Sequence, residues 1–149
     1  MQYARADYQT LSRRSAEEKS KASEFAITKF AASLLSTADV LTTALKHVKT
    51  PIDPTNKSLL DLYSGVELTH KALLKTFEQH GVKPFENTAG EPFNPNFHEA
   101  TFQIPKEVAP KKADGSFHAP GDVVEVAKDG WMIKDRVLRP AQVGVVQIE

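Results

Sequence analysis

The chain has no cysteine, which removes disulfide scaffolds, thiolate zinc sites and cysteine nucleophiles together. Neither sign of charge is in excess: Lys plus Arg and Asp plus Glu each number 19, for a formal net charge of zero. With no strongly basic stretch, generic affinity for a phosphate backbone has no electrostatic source, and no nucleic-acid partner is expected. No uninterrupted apolar run approaches the roughly 20 residues needed to cross a bilayer. The start, Met1-Gln2-Tyr3-Ala4-Arg5, lacks the apolar stretch of a secretory signal, so direct membrane insertion is not expected. The most telling absence is positional. All seven glycines and all nine prolines lie beyond residue 50, so the first third of the chain carries no helix breaker.

What is present fits that absence. A chain of 149 residues with 40% hydrophobic and 8% aromatic content can bury a core. Residues 3–48, rich in Ala, Leu, Lys, Glu and Arg, predict one helix roughly 70 Å long at about 1.5 Å per residue. Within it Ile27, Ala31, Leu34, Ala38, Leu41, Leu45 and Val48 alternate at spacings of four and three, a seam of period 3.5 that requires a partner helix. Upstream, Ala4, Tyr8, Leu11, Ser15, Glu18, Ala22 and Phe25 keep the spacing in a different phase, with no large aliphatic residue between Leu11 and Phe25. Pairing along that early seam gains little burial, so this end should lose its helix first on heating.

Thr50-Pro51-Ile52-Asp53-Pro54 forces a turn, Asn56 or Ser58 is placed to cap a second helix, and Gly81 is placed to end it. Leu59, Tyr63, Val66, His70, Leu73 and Phe77 repeat the four-three rhythm on that helix. Two apolar stripes on a rod and a shorter helix joined by a short connection cannot cover each other along the whole rod, so a homodimer with a four-helix bundle is expected. Its interface is expected at Ile27, Leu34, Ala38, Leu41, Leu45, Val48, Leu59, Tyr63, Val66, Leu73 and Phe77.

Beyond residue 82 the grammar changes, with seven of the nine prolines, most of the glycines and several short β-branched runs. Strands are expected at 100–104, 123–127, 131–134, 136–138 and 143–148, with turns at Pro120-Gly121 and Asp129-Gly130, the latter read as a tight hairpin. The expected class is α+β: a dimeric helical region over residues 1–81, a linker over 82–98 and a small all-β module over 99–149. Catalytic machinery is not expected. The five histidines, at 47, 70, 80, 98 and 118, form no pair at metal-ligand helical spacing, and phosphate-cradling loops and a nucleophile turn are missing. No cofactor, metal or catalytic residue is assigned, and His70 reads as a packed residue of the second stripe.

One run is more specific than any of these patterns. Gly130-Trp131-Met132-Ile133-Lys134-Asp135-Arg136-Val137-Leu138-Arg139-Pro140-Ala141-Gln142-Val143-Gly144-Val145 is similar to the C-terminal motif of the GrpE family, the nucleotide exchange factors of DnaK-type chaperones. Asn94-Pro95-Asn96-Phe97-His98-Glu99-Ala100, Gly65-Val66-Glu67-Leu68-Thr69, Leu11-Ser12-Arg13-Arg14 and Lys29-Phe30-Ala31 extend the resemblance over nearly the whole chain. Asn94 stands where the family has Asp, Trp131 and Ile133 replace a Tyr or Phe and a Leu, and Asp39-Val40-Leu41-Thr42-Thr43-Ala44-Leu45 departs from the family's mid-helix pattern.

The resemblance implies a parallel dimer of long helices with a β wing on each subunit. It implies a protein that binds the nucleotide-binding domain of a DnaK-type chaperone, opens its cleft and promotes ADP release during protein folding and import, without covalent chemistry. By family position Arg136, Val145, Gly65, Arg13 and Arg14 are implied chaperone contacts. Each has a plainer reading: Arg136 as a solvated strand residue, Val145 as core, Gly65 as a helix-packing glycine, and Arg13 with Arg14 as a solvated helix face. A coiled-coil adaptor whose β module docks an unrelated protein explains the periodicity equally well, but gives no reason for the sixteen-residue motif. Phe97-His98-Glu99-Ala100-Thr101-Phe102 and Val137-Leu138-Arg139-Pro140 look most like mitochondrial, fungal-type members, which implies the mitochondrial matrix, with the bacterial cytoplasm as the alternative. An Arg-rich presequence is absent, so a mature or truncated chain beginning inside the long helix is expected.

Overall fold

A computed structural model describes residues 1–86 and 89–148; positions 87 and 88 of the expected linker and the last residue of the expected β module fall outside the described residues. The class is α+β. Helices α1 (Gln2–Phe25), α2 (Thr28–His47) and α3 (Lys57–Gln79) precede strands β1 (Val82–Pro84), β2 (His98–Ile104), β3 (Val123–Lys128), β4 (Trp131–Ile133), β5 (Arg136–Arg139) and β6 (Ala141–Val146).

The single long helix expected over residues 3–48 is bent: a turn at Ala26 and Ile27 separates α1 from α2. No glycine or proline causes it. The Ala26 N–H reaches only three residues back, to the Ser23 carbonyl at 3.4 Å, and the Thr28 hydroxyl donates to the Phe25 carbonyl at 2.7 Å. Regular bonding resumes with the Ala31 N–H on the Ile27 carbonyl at 2.8 Å. The break falls where the apolar seam changes phase, between Phe25 and Ile27, so one continuous helix cannot turn both toward the same neighbours. No residue of α1 is buried.

Helix α3 starts as its sequence demands, with the Asn56 side chain accepting from the Leu59 N–H at 3.2 Å, and ends before Gly81, whose φ is +76°. The two stripes do not cover each other along their whole length, but the inner parts of both find cover within one chain. Ala31, Leu35, Ala38 and Phe77 form one core with Val82, Trp131 and Ile133, and Leu34, Leu73, Leu74 and Ile27 pack against it. Leu35, fully buried at its centre, lies off the expected seam. Between α2 and α3 the Thr42 hydroxyl lies 3.0 Å from both the Ala38 carbonyl and His70 Nε2, which ties the two helices together. One 18-residue window within Gln2–His47 reaches a mean hydropathy of 1.2, passing the length-and-composition test for a membrane span. That qualifies the exclusion drawn from uninterrupted runs, although the Ala31, Leu35 and Ala38 face of α2 is occupied by the protein core.

The strands form two three-stranded sheets, β1-β4-β5 and β2-β6-β3. The first is antiparallel and packs on the helices; in the second β2 runs parallel to β6 and β3 antiparallel to it. Residues 82–98, expected as a linker, therefore contain β1. Asp129-Gly130 is not a hairpin turn, because β3 and β4 belong to different sheets; it carries the chain from one sheet to the other. A Cβ on Gly130 would fall 1.8 Å from the Phe85 ring and 2.7 Å from the Ala141 nitrogen, so close approach, not a positive φ, requires glycine there. The hairpin lies one step later, at Lys134-Asp135, where Lys134 adopts φ 52° between β4 and β5. A second core of Val123, Ala141, Val143 and Val145 fills the β2-β6-β3 side, with Phe85, Phe93 and Val126 against it.

Candidate functional site

The β4–β5 hairpin is the most exposed part of the motif at residues 130–145, and it lies against the helix break. Arg136 on edge strand β5 is exposed, and its guanidinium carbon lies 3.9 Å from the centroid of the Phe25 ring, within cation–π range. Lys134 at the turn places Nζ 3.8 Å from Glu24 Oε1. Val137, beside Arg136, is partly exposed. The hairpin thus offers a cation and an apolar side chain on a two-stranded tip braced from below by the end of α1.

The base of the hairpin is fixed more firmly. The Arg139 guanidinium spans from β5 to α2, donating to both oxygens of Asp39 at 2.5 and 3.1 Å, and to the Asp129 carbonyl at 2.6 and 3.2 Å. Both side chains of the ion pair are less than a third exposed, so solvent screens it only in part. Trp131 meets Phe77 of α3 edge to face, with centroids 5.5 Å apart. Sheet and helices are held as one unit by these contacts.

The other residues implied by the motifs are dispersed. Gly65 lies exposed mid-way along α3, with nothing within 4 Å of a Cβ built on it, so no packing within the chain accounts for a helical glycine there. Arg13 and Arg14 stand exposed on α1. Val145 is 6% exposed and packs in the second core, so its side chain shapes the sheet from within and is not itself a docking surface. Of the expected dimer positions, Ala38 and Phe77 are buried within the chain. Ile27, Leu34, Leu41, Leu45, Val48, Leu59, Tyr63, Val66 and Leu73 remain half-buried. Phe30, Val40, Leu62 and Leu68, outside the expected seams, are exposed at 64% or more on the same two helices.

A separate polar cluster closes the loop before β3. Asp122 is buried and accepts from Lys112 Nζ and the Ala119 N–H, both at 2.9 Å, with His118 Nδ1 at 3.9 Å. Burial pushes the Asp122 carboxyl up, but the Lys112 ammonium, the Ala119 N–H and His118 together hold it below its ordinary value. Asp53 and Asp114 are also lowered, Asp53 by the backbone and hydroxyl of Thr55 and Asp114 by the hydroxyl and backbone of Ser116. These are turn contacts on fully exposed groups. Among the described residues no three His, Asp or Glu side chains gather as a metal site. Sequence reasoning missed the helix-side partners of the hairpin, Glu24 and Phe25 at the end of α1 and Asp39 on α2. The Asp39 position was noticed only as a departure from a pattern.

Comparison with known proteins extends the motif to the whole chain. The GrpE family model matches residues 1–147. The chain is 41% identical over 142 residues to "Protein GrpE" of Brucella anthropi, covering 95% of this chain and 58% of that protein. It is 41% identical over 147 residues to "GrpE protein homolog, mitochondrial" of Debaryomyces hansenii, covering 97% and 56%. To the protein of the same description from Saccharomyces cerevisiae it is 38% identical over 144 residues, covering 97% and 59%. The chain spans a little over half the length of these curated relatives.

Proposed function

Because the chain belongs to the GrpE family, we propose that it is an adenine nucleotide exchange factor. In this reading it binds the nucleotide-binding domain of a DnaK-type chaperone, holds the nucleotide cleft open and so promotes ADP release during protein folding and import. The observation that carries this is the hairpin motif of residues 130–145, folded as β4, β5 and most of β6 with Arg136 exposed at the tip, within a family match over residues 1–147.

The mechanism is differential binding. A protein that grips the open state of its partner better than the closed, nucleotide-bound state lowers nucleotide affinity by the same coupling free energy, and nucleotide lowers its affinity in return. No bond is made or broken. Shape and a few anchors suffice, and an arginine beside an apolar residue on a rigid hairpin is an anchor of the kind that dominates interfaces. Arg136 is the wing anchor in this account; Val145 is a chaperone contact by family position alone, its side chain lying in the core of the β2-β6-β3 sheet. Gly65 gives a bare patch of α3 backbone, and Arg13 and Arg14 give a basic pair further along the rod. The working form is a homodimer joined along α2 and α3 through the half-buried positions from Ile27 to Phe77 and the exposed Phe30, Val40, Leu62 and Leu68. Residues 1–81 serve dimerisation and 99–149 serve chaperone binding. The compartment is the mitochondrial matrix, with the bacterial cytoplasm as the alternative, since relatives of both kinds match at 38–41% identity.

The test is reciprocity. Calorimetric titration of the chain into a DnaK-type nucleotide-binding domain should give tight binding without nucleotide and weaker binding as ADP is added, with Arg136→Ala losing about 1–3 kcal/mol in the nucleotide-free case. Binding insensitive to ADP would favour an adaptor over an exchange factor.

A further inference from the structure

Between α3 and the edge strand β1 lies a groove of about 580 Å³, the size of a small-molecule or short-peptide site. Its floor is apolar, made by Leu74 of α3, Pro84 of β1 and Trp131 of β4. Its mouth is basic. Lys71 and Lys75 stand one turn apart on α3 and Lys83 stands on β1, against a single acid, Glu78. Lys83 pairs with Glu78 at 3.7 Å, and Lys71 pairs with Glu67, outside the groove, at 3.3 Å. These side chains are all at least 42% exposed, so water screens both pairs and an incoming carboxylate replaces either acid at little cost. Lys75 has no ion-pair partner among the described residues. A second cleft, where the ends of α1 and α3 meet the hairpin turn, sets Glu24 and Glu78 against Lys83 and Lys134, so an excess of positive charge is not common to the clefts of this fold.

We propose that the groove between α3 and β1 binds an extended, acidic peptide segment of another protein, with aliphatic side chains on the floor and carboxylates at the lysines. Side chains on one face of an extended chain recur about every 6.6 Å, close to the rise of about 6 Å from Lys71 to Lys75. A segment in which acidic and aliphatic residues alternate therefore turns its apolar face to Leu74, Pro84 and Trp131 and its carboxylates to the mouth, where the long lysine stems reach over it. A neutral segment gains the floor alone, and a basic one meets repulsion. The site is separate from Arg136, because β1 and β5 are opposite edges of the first sheet, and it stands whether or not Arg136 contacts a chaperone.

Trp131 is the single tryptophan of the chain and lines the groove, so its emission reads occupancy. Titrating the full chain, with no chaperone present, with an acetylated and amidated peptide of three glutamates alternating with two leucines should shift that emission along a curve that saturates by about 1 mM. The same peptide with glutamines in place of the glutamates should bind about tenfold more weakly. Lys75→Glu should weaken binding of the glutamate peptide by about three- to tenfold, and so should raising the salt from about 50 to about 500 mM. Lys57→Glu, the same change of charge at the other end of α3, should leave it unchanged. Both lysines are exposed, and unaltered Trp131 emission without peptide reports that the groove is folded in each variant. Absence of a saturable shift overturns the proposal, as do equal affinities for the two peptides or equal effects of Lys75→Glu and Lys57→Glu. So does a shift on diluting the chain alone, which would make a second copy the occupant, or a response to phosphatidylglycerol vesicles with none to the peptide. Each of these outcomes leaves the chaperone reading untouched, since none involves Arg136 or nucleotide release.

Discussion

Arg139 on β5 and Asp39 on α2, a hundred residues apart in sequence, form a two-pronged ion pair in which Nη1 donates to Oδ2 at 2.5 Å and Nη2 to Oδ1 at 3.1 Å. A planar guanidinium meeting both carboxylate oxygens fixes direction as well as distance, so this pair sets the angle at which the first sheet stands on the helices. Because Arg139 also donates to the Asp129 carbonyl, Arg139→Ala removes two anchors and leaves Asp39 half-buried without its cation. It should cost about 1–3 kcal/mol, and Asp39→Asn less, as read by urea unfolding. Equal, negligible effects of both would show that the pair does not hold the sheet.

Gly65→Ala separates stability from function by sign. With helical backbone and open space around the new methyl, alanine should stabilise α3 by up to about 1 kcal/mol. A methyl on a bare backbone patch that a partner approaches closely should at the same time weaken chaperone binding. Thermal melting and a binding titration on the same preparation check both signs; a more stable variant with unchanged affinity would return Gly65 to the plainer reading.

Leu41→Asp should dissociate the proposed dimer, because it places a carboxylate on both chains at once in a half-buried position of the α2 seam. Leu35→Ala should behave differently, costing about 2–5 kcal/mol of stability within each chain, since Leu35 is fully buried in the intrachain core. Sedimentation at micromolar concentration resolves the first, and a dimeric Leu41→Asp would place the interface elsewhere.

The Asp122 cluster predicts an acid limit. A carboxyl held below its ordinary value of 3.8 in the folded chain stabilises the fold fully above that value, and the contribution is lost as pH falls through the lower, folded one. The loop before β3 should therefore loosen below about pH 4, and Asp122→Asn should flatten this part of the acid profile. Nuclear magnetic resonance of the Ala119 amide, which donates to Asp122, follows it directly.

The helical half was legible from the four-three spacing, because burial on a helix face leaves a periodic mark, and Asn56 and Gly81 mark the ends of α3. The bend was not legible. Only the change of seam phase between Phe25 and Ile27 marks its place; that both side chains turn onto one core, and so bend the helix between them, is settled by tertiary packing. Leu35 was passed over since a strict 3.5 seam runs through its neighbour Leu34, whereas a helix that packs on both α3 and a sheet needs a wider apolar stripe. The Asp129-Gly130 signal was real but served close approach to Phe85 instead of a hairpin. Strand β1, three residues ending in Pro84, carries too little pattern to show, and the parallel pairing of β2 with β6 joins segments some forty residues apart. At the candidate site the motif pointed to Arg136, but its ring partner, Phe25, lay in a helix more than a hundred residues away.

The rate at which a DnaK-type chaperone loses fluorescently labelled ADP should rise at least tenfold in the presence of a saturating excess of this chain. It should fall back toward the unassisted rate at subsaturating concentrations of Arg136→Ala, with dimer and helicity unchanged. A release rate that stays at its unassisted value with a folded, dimeric chain would contradict the account and leave a coiled-coil adaptor in its place.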